Sequence, residues 1–147
     1  MGLAFLPFAA ARRDDCLALF DANCPAFFAP NERADYAAFL DRADEAYALA
    51  MLDDTLAGAF GVFPGAAGRA HLNWIMLHPE RQGAGLGRAI MAEAARRALA
   101  LDAAAVDIAA SQHSAPFFAR FGATETALTP DGWGPGMHRI DMVWRPA

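Results

Sequence analysis

Short apolar runs and helix-spaced apolar stripes follow one another along this chain, and their order predicts an α/β fold. Alternating or continuous apolar runs predict strands, whereas apolar residues three or four positions apart predict amphipathic helices. Strands are predicted at residues 3–8, 47–52, 56–63, 70–77, 104–109, 124–128 and 137–144. Helices are predicted at residues 11–23, 31–42, 85–101 and 115–121. The order is therefore β-α-α-β-β-β-α-β-α-β-β, with about seven strands.

Turn and cap residues mark several boundaries of these elements. An Asp-Asp-Thr segment at 53–55 separates two apolar runs as in a β-hairpin, and Asn31 is placed to cap the second helix. Gly122 is a suitable left-handed stop for the fourth helix. Glycine and proline are so frequent at residues 129–136 that this segment is predicted to be an irregular loop. The third helix has one apolar face, formed by Leu86, Ile90, Ala94, Ala98 and Leu101.

A glycine-rich turn lies between the fourth strand and the third helix. Its residues are Gln82, Gly83, Ala84, Gly85, Leu86, Gly87 and Arg88. Glycine lets the backbone adopt positive φ and approach a ligand closely. At a helix start, free backbone N–H groups and the positive end of the helix dipole face such a ligand. The turn therefore predicts an anion-binding site, and in particular a site for a phosphate-bearing cofactor.

Two common phosphate-binding motifs do not match this turn. A P-loop requires a lysine directly after its last glycine, and here Arg88 occupies that position. A dinucleotide fingerprint requires G-x-G-x-x-G at the first strand of a βαβ unit, whereas these glycines fall at positions 83, 85 and 87 in mid-chain. The spacing is instead Q-x-x-G-x-G, so another type of nucleotide-binding protein is the weaker interpretation.

Composition narrows the classes of function. A chain of 147 residues, 56% of them apolar, is long enough for one domain with its own core. Its net charge of −5 and its lack of a basic block argue against nucleic acid as a partner, and they suit an amine substrate. No apolar run approaches the roughly 20 residues of a membrane span, so no membrane association is expected.

Cysteine usage and the N-terminus indicate the compartment and the metal content. Cys16 and Cys24 are expected to be separate thiols rather than a disulfide or a metal pair, and no metal is expected. The apolar N-terminus has its first arginines after the apolar part, unlike a signal peptide. We therefore expect a cytoplasmic protein.

The Q-x-x-G-x-G spacing at this strand-to-helix junction resembles the pyrophosphate-binding motif of the GCN5-related N-acetyltransferase (GNAT) superfamily. Residues 77–81, Leu-His-Pro-Glu-Arg, are similar to the usual lead-in, and residues 114–123 are similar to that superfamily's late helix and turn. The resemblance follows the element order over residues 3–144. It implies a mixed sheet, antiparallel at its start, with one βαβ crossover at the glycine turn, in a single acetyltransferase domain of residues 1–147.

The resemblance also implies an N-acetyltransferase that moves an acetyl group from acetyl-CoA to an amine by direct attack in a ternary complex. The backbone of Ile75, Met76 and Leu77 would pair with the pantetheine arm like an added strand, and the Leu77 N–H would be the oxyanion donor. The backbone of residues 83–88 would bind the pyrophosphate, and Ser111 would contact pantetheine. The acceptor would be a small-molecule or peptide amine, and the exposed final strands would permit a homodimer.

The proton donor for the leaving thiolate departs from the family pattern. The late helix usually carries a tyrosine that faces the thiolate, and alignment on Gly122 puts Phe118 at that position. Phenylalanine cannot donate a proton. Either Ser114, His113 or water replaces it, or the thiolate leaves unassisted.

His71 is the better candidate for the base. It lies eleven residues before Gln82, the offset at which histone-acetylating members carry a catalytic glutamate. A neutral imidazole accepts a proton directly or through water. Strand alternation would place His71, Asn73 and Ile75 on one face, so Asn73 would share the substrate pocket. The competing interpretation is a solvent-facing histidine at a strand end.

The acceptor site is expected beside the last loop and the last strand. Trp133 would form a wall for the substrate, Asp131 would attract an ammonium group, and His138 would lie on the adjacent strand. Tyr36 and the pair Phe27-Phe28 would line the opposite wall or belong to the core between the first two helices. The alternative to an enzyme is a catalytically silent acyl-CoA-binding sensor or interaction module, which Phe118 favours modestly.

Overall fold

The structure, a computed structural model, describes residues 2–81 and 85–146. Within these residues the strands are β1 Leu3–Pro7, β2 Tyr47–Leu52, β3 Thr55–Pro64, β4 Arg69–Leu77, β5 Ala105–Ala110, β6 Thr124–Gly134 and β7 Met137–Trp144. The α-helices of the same residues are α1 Arg13–Ala22, α2 Glu32–Arg42, α3 Leu86–Ala100 and α4 Ala115–Ala119. The predicted α/β class and element order are confirmed.

All the strands described above belong to one mixed sheet with the order β1-β2-β3-β4-β5-β7-β6. The first four strands form antiparallel pairs in chain order. β4 and β5 are parallel and are connected through α3, which is the predicted βαβ crossover. β7 lies between β5 and β6 and is antiparallel to both. The crossover therefore places the start of α3 at the carboxyl end of β4.

The two faces of the sheet are buried under different helices. Helices α1 and α2 cover β1–β4 on one face, where Phe20, Tyr36 and Leu49 are buried. Helices α3 and α4 cover the other face, where Phe60, Ile90 and Ile108 are among the buried residues. Strand alternation sends successive side chains into these two cores. Both cysteines are free thiols, and in the described part of the chain no helix is long and apolar enough to cross a membrane.

The apolar face of α3 was predicted correctly except at its end. Leu86, Ile90, Ala94 and Ala98 are buried against the sheet. Leu101 is 41% exposed, because the helix ends at Ala100 and Leu101 is its C-cap residue. The stripe therefore covers three turns of the helix and stops before the residue that follows it.

The structure corrects the prediction of an irregular loop at residues 129–136. Strand β6 continues to Gly134, although its pairing with β7 is interrupted between Thr129 and Gly134. Proline has no N–H to donate, but an edge strand tolerates it, and Pro130 lies on the edge strand β6. The reversal of the chain is a short turn at Pro135 and Gly136. Asp131 and Trp133 therefore lie on an irregular strand.

Candidate functional site

Strands β4 and β5 pair over a short stretch and then separate. Their parallel register joins Arg69 through Leu72 to Ala105 through Ile108. No pairing between the two strands is found beyond Leu72 in the described residues. We call the opening between residues 73–77 of β4 and residues 109–110 of β5 the interstrand cleft.

Backbone groups at the end of β4 point into the interstrand cleft. The N–H of His78 donates to the carbonyl of Ala57 at 2.7 Å, and Leu77 lies opposite Gly58 in the same register. Because alternate residues of an antiparallel strand direct their backbone groups to opposite sides, the N–H and C=O of Leu77 point away from β3. They face β5, as the predicted oxyanion donor requires.

Met76 does not fit the predicted role. It lies opposite Ala59, so the same alternation turns its N–H and C=O towards β3, where they belong to the sheet. Its side chain is also buried. The carbonyl of Ile75 shares a peptide plane with the Met76 N–H and points the opposite way, into the cleft. The edge of β4 thus presents the Ile75 carbonyl and the Leu77 N–H and carbonyl to the cleft. The prediction that the Met76 backbone pairs with the pantetheine arm is wrong.

Helix α3 begins at a left-handed glycine beside the cleft. Gly85 has φ +80° and occupies the N-cap position of α3. The N–H groups of the following first turn, which includes Leu86, Gly87 and Arg88, have no carbonyl partner within the helix. Arg88 is exposed and Leu86 is buried, so the helix presents its basic side chain and its backbone to the outside. The predicted anion-binding residues Gln82, Gly83 and Ala84 lie outside the described residues.

A close approach of α4 explains the glycine at position 87. A Cβ placed on Gly87 would lie 2.7 Å from the ring of Phe117 and 3.4 Å from the side chain of Leu77. Any larger residue would therefore require the Phe117 ring to move from the start of α3. This glycine brings β4, α3 and α4 together at the end of the cleft.

The predicted acid position is buried, and the two serines lie together. Phe118 is 3% exposed and belongs to the core under α3 and α4. The Ser114 Oγ accepts a hydrogen bond from the Ser111 N–H at 3.0 Å, and the two hydroxyl oxygens are 3.4 Å apart. The Ser111 Oγ also accepts from the N–H of His113 at 3.1 Å. Both hydroxyls thus hold the turn between β5 and α4, next to the cleft.

The side chain of His71 lies on the same face of the sheet as α1 and α2. These helices cover other parts of that face, and His71 is exposed. Its register neighbours are Phe63 and Asp107. At about 3.3 Å per residue, the six positions to Leu77 correspond to roughly 20 Å along the strand. An imidazole cannot span that distance, so a proton from an amine bound near Leu77 would reach His71 only through water. The assignment of His71 as base stays a prediction.

A bulge in β4 changes the predicted alternation. The register steps from Gly61–Asn73 to Ala59–Met76, which is two residues of β3 against three of β4. Trp74 is the residue with φ +49° at this step. Ile75 therefore packs towards the α3 core instead of sharing a face with His71 and Asn73. Asn73 remains exposed beside the cleft, as expected for a substrate-contacting residue.

An ion pair lies beside His71. Arg69 Nε donates to Asp107 Oδ2 at 3.0 Å, and a second guanidinium nitrogen contacts the other carboxylate oxygen. Hydrogen bonding from Arg69 is the main reason that the pKa of Asp107 lies below its ordinary value. Val106, the preceding residue of β5, is buried on the opposite face of the sheet. The ionised Asp107 is thus held by Arg69 and is not placed to accept a proton.

Hydrogen bonds tie the end of the β6–β7 hairpin to the end of β5 and to the residue that precedes α2. Trp133 donates its indole N–H to the carbonyl of Ala110 at 2.9 Å, and its own carbonyl accepts from Asn31 Nδ2 at 2.7 Å. Gln112 donates to the Gly136 carbonyl at 2.7 Å. We call these three hydrogen bonds the hairpin clasp. Asn31, predicted as a helix cap, serves in the clasp and makes no side-chain cap bond.

The remaining predicted acceptor residues support the hairpin turn. The N–H of Asp131 donates to His138 Nδ1 at 3.0 Å, and Asp131 Oδ1 accepts from the Gly136 N–H at 2.7 Å. The ring of Trp133 lies under the guanidinium of Arg139, with 5.2 Å from Cζ to the ring centroid. The structure therefore brings Asp131, Trp133 and His138 into one hairpin, where their polar groups bind one another and the backbone.

A buried carboxyl group anchors the segment that carries Asn31. Glu32 is 5% exposed, and its Oε2 accepts from the N–H of Ala29 at 2.7 Å. Burial raises the pKa of Glu32 to about 7, against the lowering effect of the Ala29 hydrogen bond. Sequence analysis missed this residue, because a glutamate in the first turn of a helix is ordinarily a solvated group.

Replacing Glu32 with glutamine is expected to stabilise the fold most above neutral pH. The folded-state pKa of about 7 exceeds the ordinary 4.5, so the group favours folding below pH 4.5 and loses that contribution as the pH rises through 7. Glutamine stays neutral and still offers an oxygen to Ala29. Urea unfolding should show the advantage of Glu32→Gln growing by about 3 kcal/mol between pH 4.5 and pH 8. A difference that is constant with pH would contradict this prediction.

Comparison with known proteins identifies the family. The model of the acetyltransferase (GNAT) family matches residues 16–123, whereas a comparison with curated proteins finds no match. A Desulfovibrio desulfuricans structure described as a GNAT acetyltransferase has a TM-score of 0.78 at 23% identity, covering 99% of this chain and 100% of its own. The ribosomal-protein-S18-alanine N-acetyltransferase from Escherichia coli has a TM-score of 0.78 at 14% identity, with coverages of 99% and 95%.

A third solved structure is an aminoglycoside 6′-N-acetyltransferase in complex with coenzyme A. Its TM-score is 0.75 at 12% identity, with coverages of 99% and 97%. These likenesses show that the chain shares the overall fold of these three structures. With the family match spanning most of its length, the chain belongs to the GNAT family of acetyltransferases.

Proposed function

We propose that this protein is a single-domain, cytoplasmic N-acetyltransferase that moves an acetyl group from acetyl-CoA to an amine in a ternary complex. One observation carries the proposal: the interstrand cleft exposes backbone groups of Leu77 directly beside the left-handed start of α3. A strand edge that binds an amide chain, next to a helix start that binds phosphate, is suited to a pantetheine–pyrophosphate ligand. The solved neighbour with bound coenzyme A supports this assignment.

Each residue then has a defined task. The backbone of Ile75 and Leu77 would pair with the pantetheine amides, and the first turn of α3 would bind the pyrophosphate. Acetyl-CoA, when bound, supplies a thioester carbon that is open to attack by an amine. The C–N bond would form first, with the Leu77 N–H donating to the oxyanion that results, and the C–S bond would break in the following step.

Two protons must also move. The attacking nitrogen loses one, and water is the group that would accept it, with His71 as a more distant base. The leaving thiolate takes up the other. Phe118 cannot supply it, so the hydroxyls of Ser111 and Ser114, held beside the cleft, or water would do so.

The acceptor is proposed to be a small-molecule or peptide amine. Structural neighbours include enzymes named for an aminoglycoside and for the alanine of a ribosomal protein, so both acceptor classes are represented. The hairpin clasp encloses the cleft on the side where the acceptor would enter, next to the half-buried ring of Trp133. Strand β6 is exposed along most of its length and would be the edge for a homodimer.

A second candidate function is a catalytically silent acyl-CoA-binding module. The buried Phe118 at the position of the usual acid favours it. Such a module would bind acetyl-CoA and leave the thioester intact.

Acetyl-CoA binding measured by calorimetry, followed by a thiol-release assay with a panel of amines, tests the proposal. We expect saturable binding and release of free coenzyme A with at least one amine class. Binding without thiol release for any amine would favour the silent module. A folded protein that does not bind acetyl-CoA would overturn both functions.

A further inference from the structure

The bulge in β4 holds a bulky residue in an unfavourable backbone conformation. Trp74 has φ +49°, and left-handed backbone is unfavourable for a residue other than glycine because Cβ crowds the following carbonyl oxygen. Such a conformation persists when surrounding contacts fix it. The bulge precedes Ile75 and Leu77 by only one and three residues. The contacts that fix Trp74 therefore also act on the strand edge that faces the cleft.

A pair of buried tyrosines supplies those contacts. The Tyr47 hydroxyl lies 2.8 Å from the carbonyl oxygen of Trp74, and the hydroxyls of Tyr36 and Tyr47 are 2.8 Å apart. A carbonyl oxygen only accepts, so Tyr47 donates to Trp74 and Tyr36 donates to Tyr47. Both tyrosine side chains are fully buried. Burial raises the pKa of both phenols, so the two donors keep their protons in neutral solution.

The indole ring of Trp74 is fixed on the same side. Its centroid lies 4.9 Å from that of Tyr36, and the rings of Phe28 and Phe39 are each 6.1 Å away. The carbonyl and the side chain of Trp74 are thus both held by residues of the core between the sheet and the helices α1 and α2. A regular strand would instead use that carbonyl in the sheet.

The bulge decides which backbone groups enter the cleft. An extra residue in one strand shifts the register by one, and such a shift reverses every later inside–outside assignment. If β4 paired regularly with β3 from Asn73 onwards, with no bulge at Trp74, the N–H and C=O of Leu77 would face β3. Those of Met76 would face β5. The orientation of the predicted oxyanion donor therefore depends on the bulge.

We propose that Tyr47, supported by Tyr36, is a positioning residue that fixes the Trp74 bulge and thereby aims the backbone of Ile75 and Leu77 into the interstrand cleft. This role rests on the proposed function, because it concerns the strand edge to which coenzyme A would bind. Neither tyrosine contacts the cleft directly, and both act through the Trp74 backbone. The arrangement requires a tyrosine on α2, a tyrosine on β2 and a left-handed residue on β4.

Calorimetric titration with coenzyme A tests the proposal on three proteins. Tyr47→Phe removes the bond to Trp74, and we expect the affinity to fall about tenfold, the equivalent of one hydrogen bond. Tyr36→Phe leaves that bond intact, and we expect its affinity to stay within about threefold of the parent. Equal affinities for the parent and a folded Tyr47→Phe would overturn the proposal.

Amide resonances of the ligand-free proteins provide a readout that a purely structural role would not move. In ¹⁵N-labelled protein, Tyr47→Phe should shift the amide signals of Ile75 and Leu77, whereas Tyr36→Phe should leave them in place. A role in stability alone would lower the unfolding midpoint of both variants and leave these signals unchanged, which would contradict the proposal. Failure of the proposed function shows separately, as a parent that does not bind coenzyme A although the signals shift.

A double variant keeps the test interpretable if Tyr47→Phe folds poorly. Tyr47→Phe leaves the Tyr36 hydroxyl without its acceptor in the core, and an unpaired buried donor is costly. The double variant Tyr36→Phe/Tyr47→Phe removes both hydroxyls, so it avoids that orphan and should show the same loss of affinity and the same amide shifts. If neither variant folds, the hydroxyls support the whole core rather than the bulge, and the proposal is overturned.

Discussion

Replacing Gly85 with glutamate is expected to weaken acetyl-CoA binding at least about 100-fold while the protein stays folded. The new carboxylate would lie at the start of α3, where the proposed pyrophosphate binds. Two like charges about 5 Å apart repel by roughly 3 kcal/mol at the effective dielectric of a protein surface, which corresponds to about two orders of magnitude in affinity. Calorimetric titration of the parent and the variant measures the loss.

Gly85→Gln is the matched control for this experiment. A Cβ at this position has nothing within 4 Å among the described residues, so steric conflict is not the issue. Both substitutions place a side chain of the same size at φ +80°, and both bear the same left-handed strain. The difference between Glu and Gln therefore isolates the charge. Equal binding by the two variants would show that no anionic group of the ligand lies at this helix start.

Replacing Phe20 with alanine is expected to have the largest effect on stability. Phe20 is fully buried between Phe28, at 5.0 Å, and Tyr36, at 5.6 Å. Truncation of such a ring removes its buried apolar surface and leaves a cavity, which together cost roughly 3–5 kcal/mol. That is a large fraction of the roughly 5–15 kcal/mol by which a typical domain is stable. Urea unfolding should show a midpoint far below that of the parent.

Phe27→Ala serves as the comparison for Phe20. Phe27 follows α1 on the connection to α2, seven residues after Phe20, but it is only half-buried. Its truncation should cost less than about 2 kcal/mol, because part of the ring already contacts water. Losses of equal size for the two variants would mean that the core under α1 and α2 does not depend on Phe20 as its burial indicates.

Local patterns in the sequence were sufficient to predict the order of the helices and strands, whereas the family resemblance implied the arrangement of the sheet. Burial of alternate or helix-spaced residues depends on neighbours in the chain, so the strands and helices other than β6 could be found within a residue or two of their bounds. The glycine at the start of α3 could be recognised for the same reason, since Gly85 and the first turn of the helix are adjacent in the chain. The segment at 129–136 was mispredicted because an edge strand tolerates the proline and glycine that a central strand excludes.

The detailed site depends on residues that are distant in the chain. The clasp joins Asn31 to Trp133, which are 102 positions apart, and the bulge depends on Tyr47, 27 positions from Trp74. No periodicity reports such pairs. The bulge in turn removed Met76 from the predicted backbone partners and separated Ile75 from His71. A glutamate with a raised pKa, such as Glu32, likewise becomes visible only when the surrounding chain buries it.

The short ladder between β4 and β5 divides the sheet into two halves that are connected by few hydrogen bonds. Four residue pairs connect the half formed by β1–β4 to the half formed by β5, β7 and β6. Each half is braced by longer antiparallel pairing, so we expect any change in the width of the cleft to come from flexing at this ladder while both halves keep their internal geometry. The clasp joins β5 to the residue before α2 through the β6–β7 hairpin and is expected to limit that change. We therefore expect the width of the interstrand cleft to adjust to the thickness of the ligand that it binds.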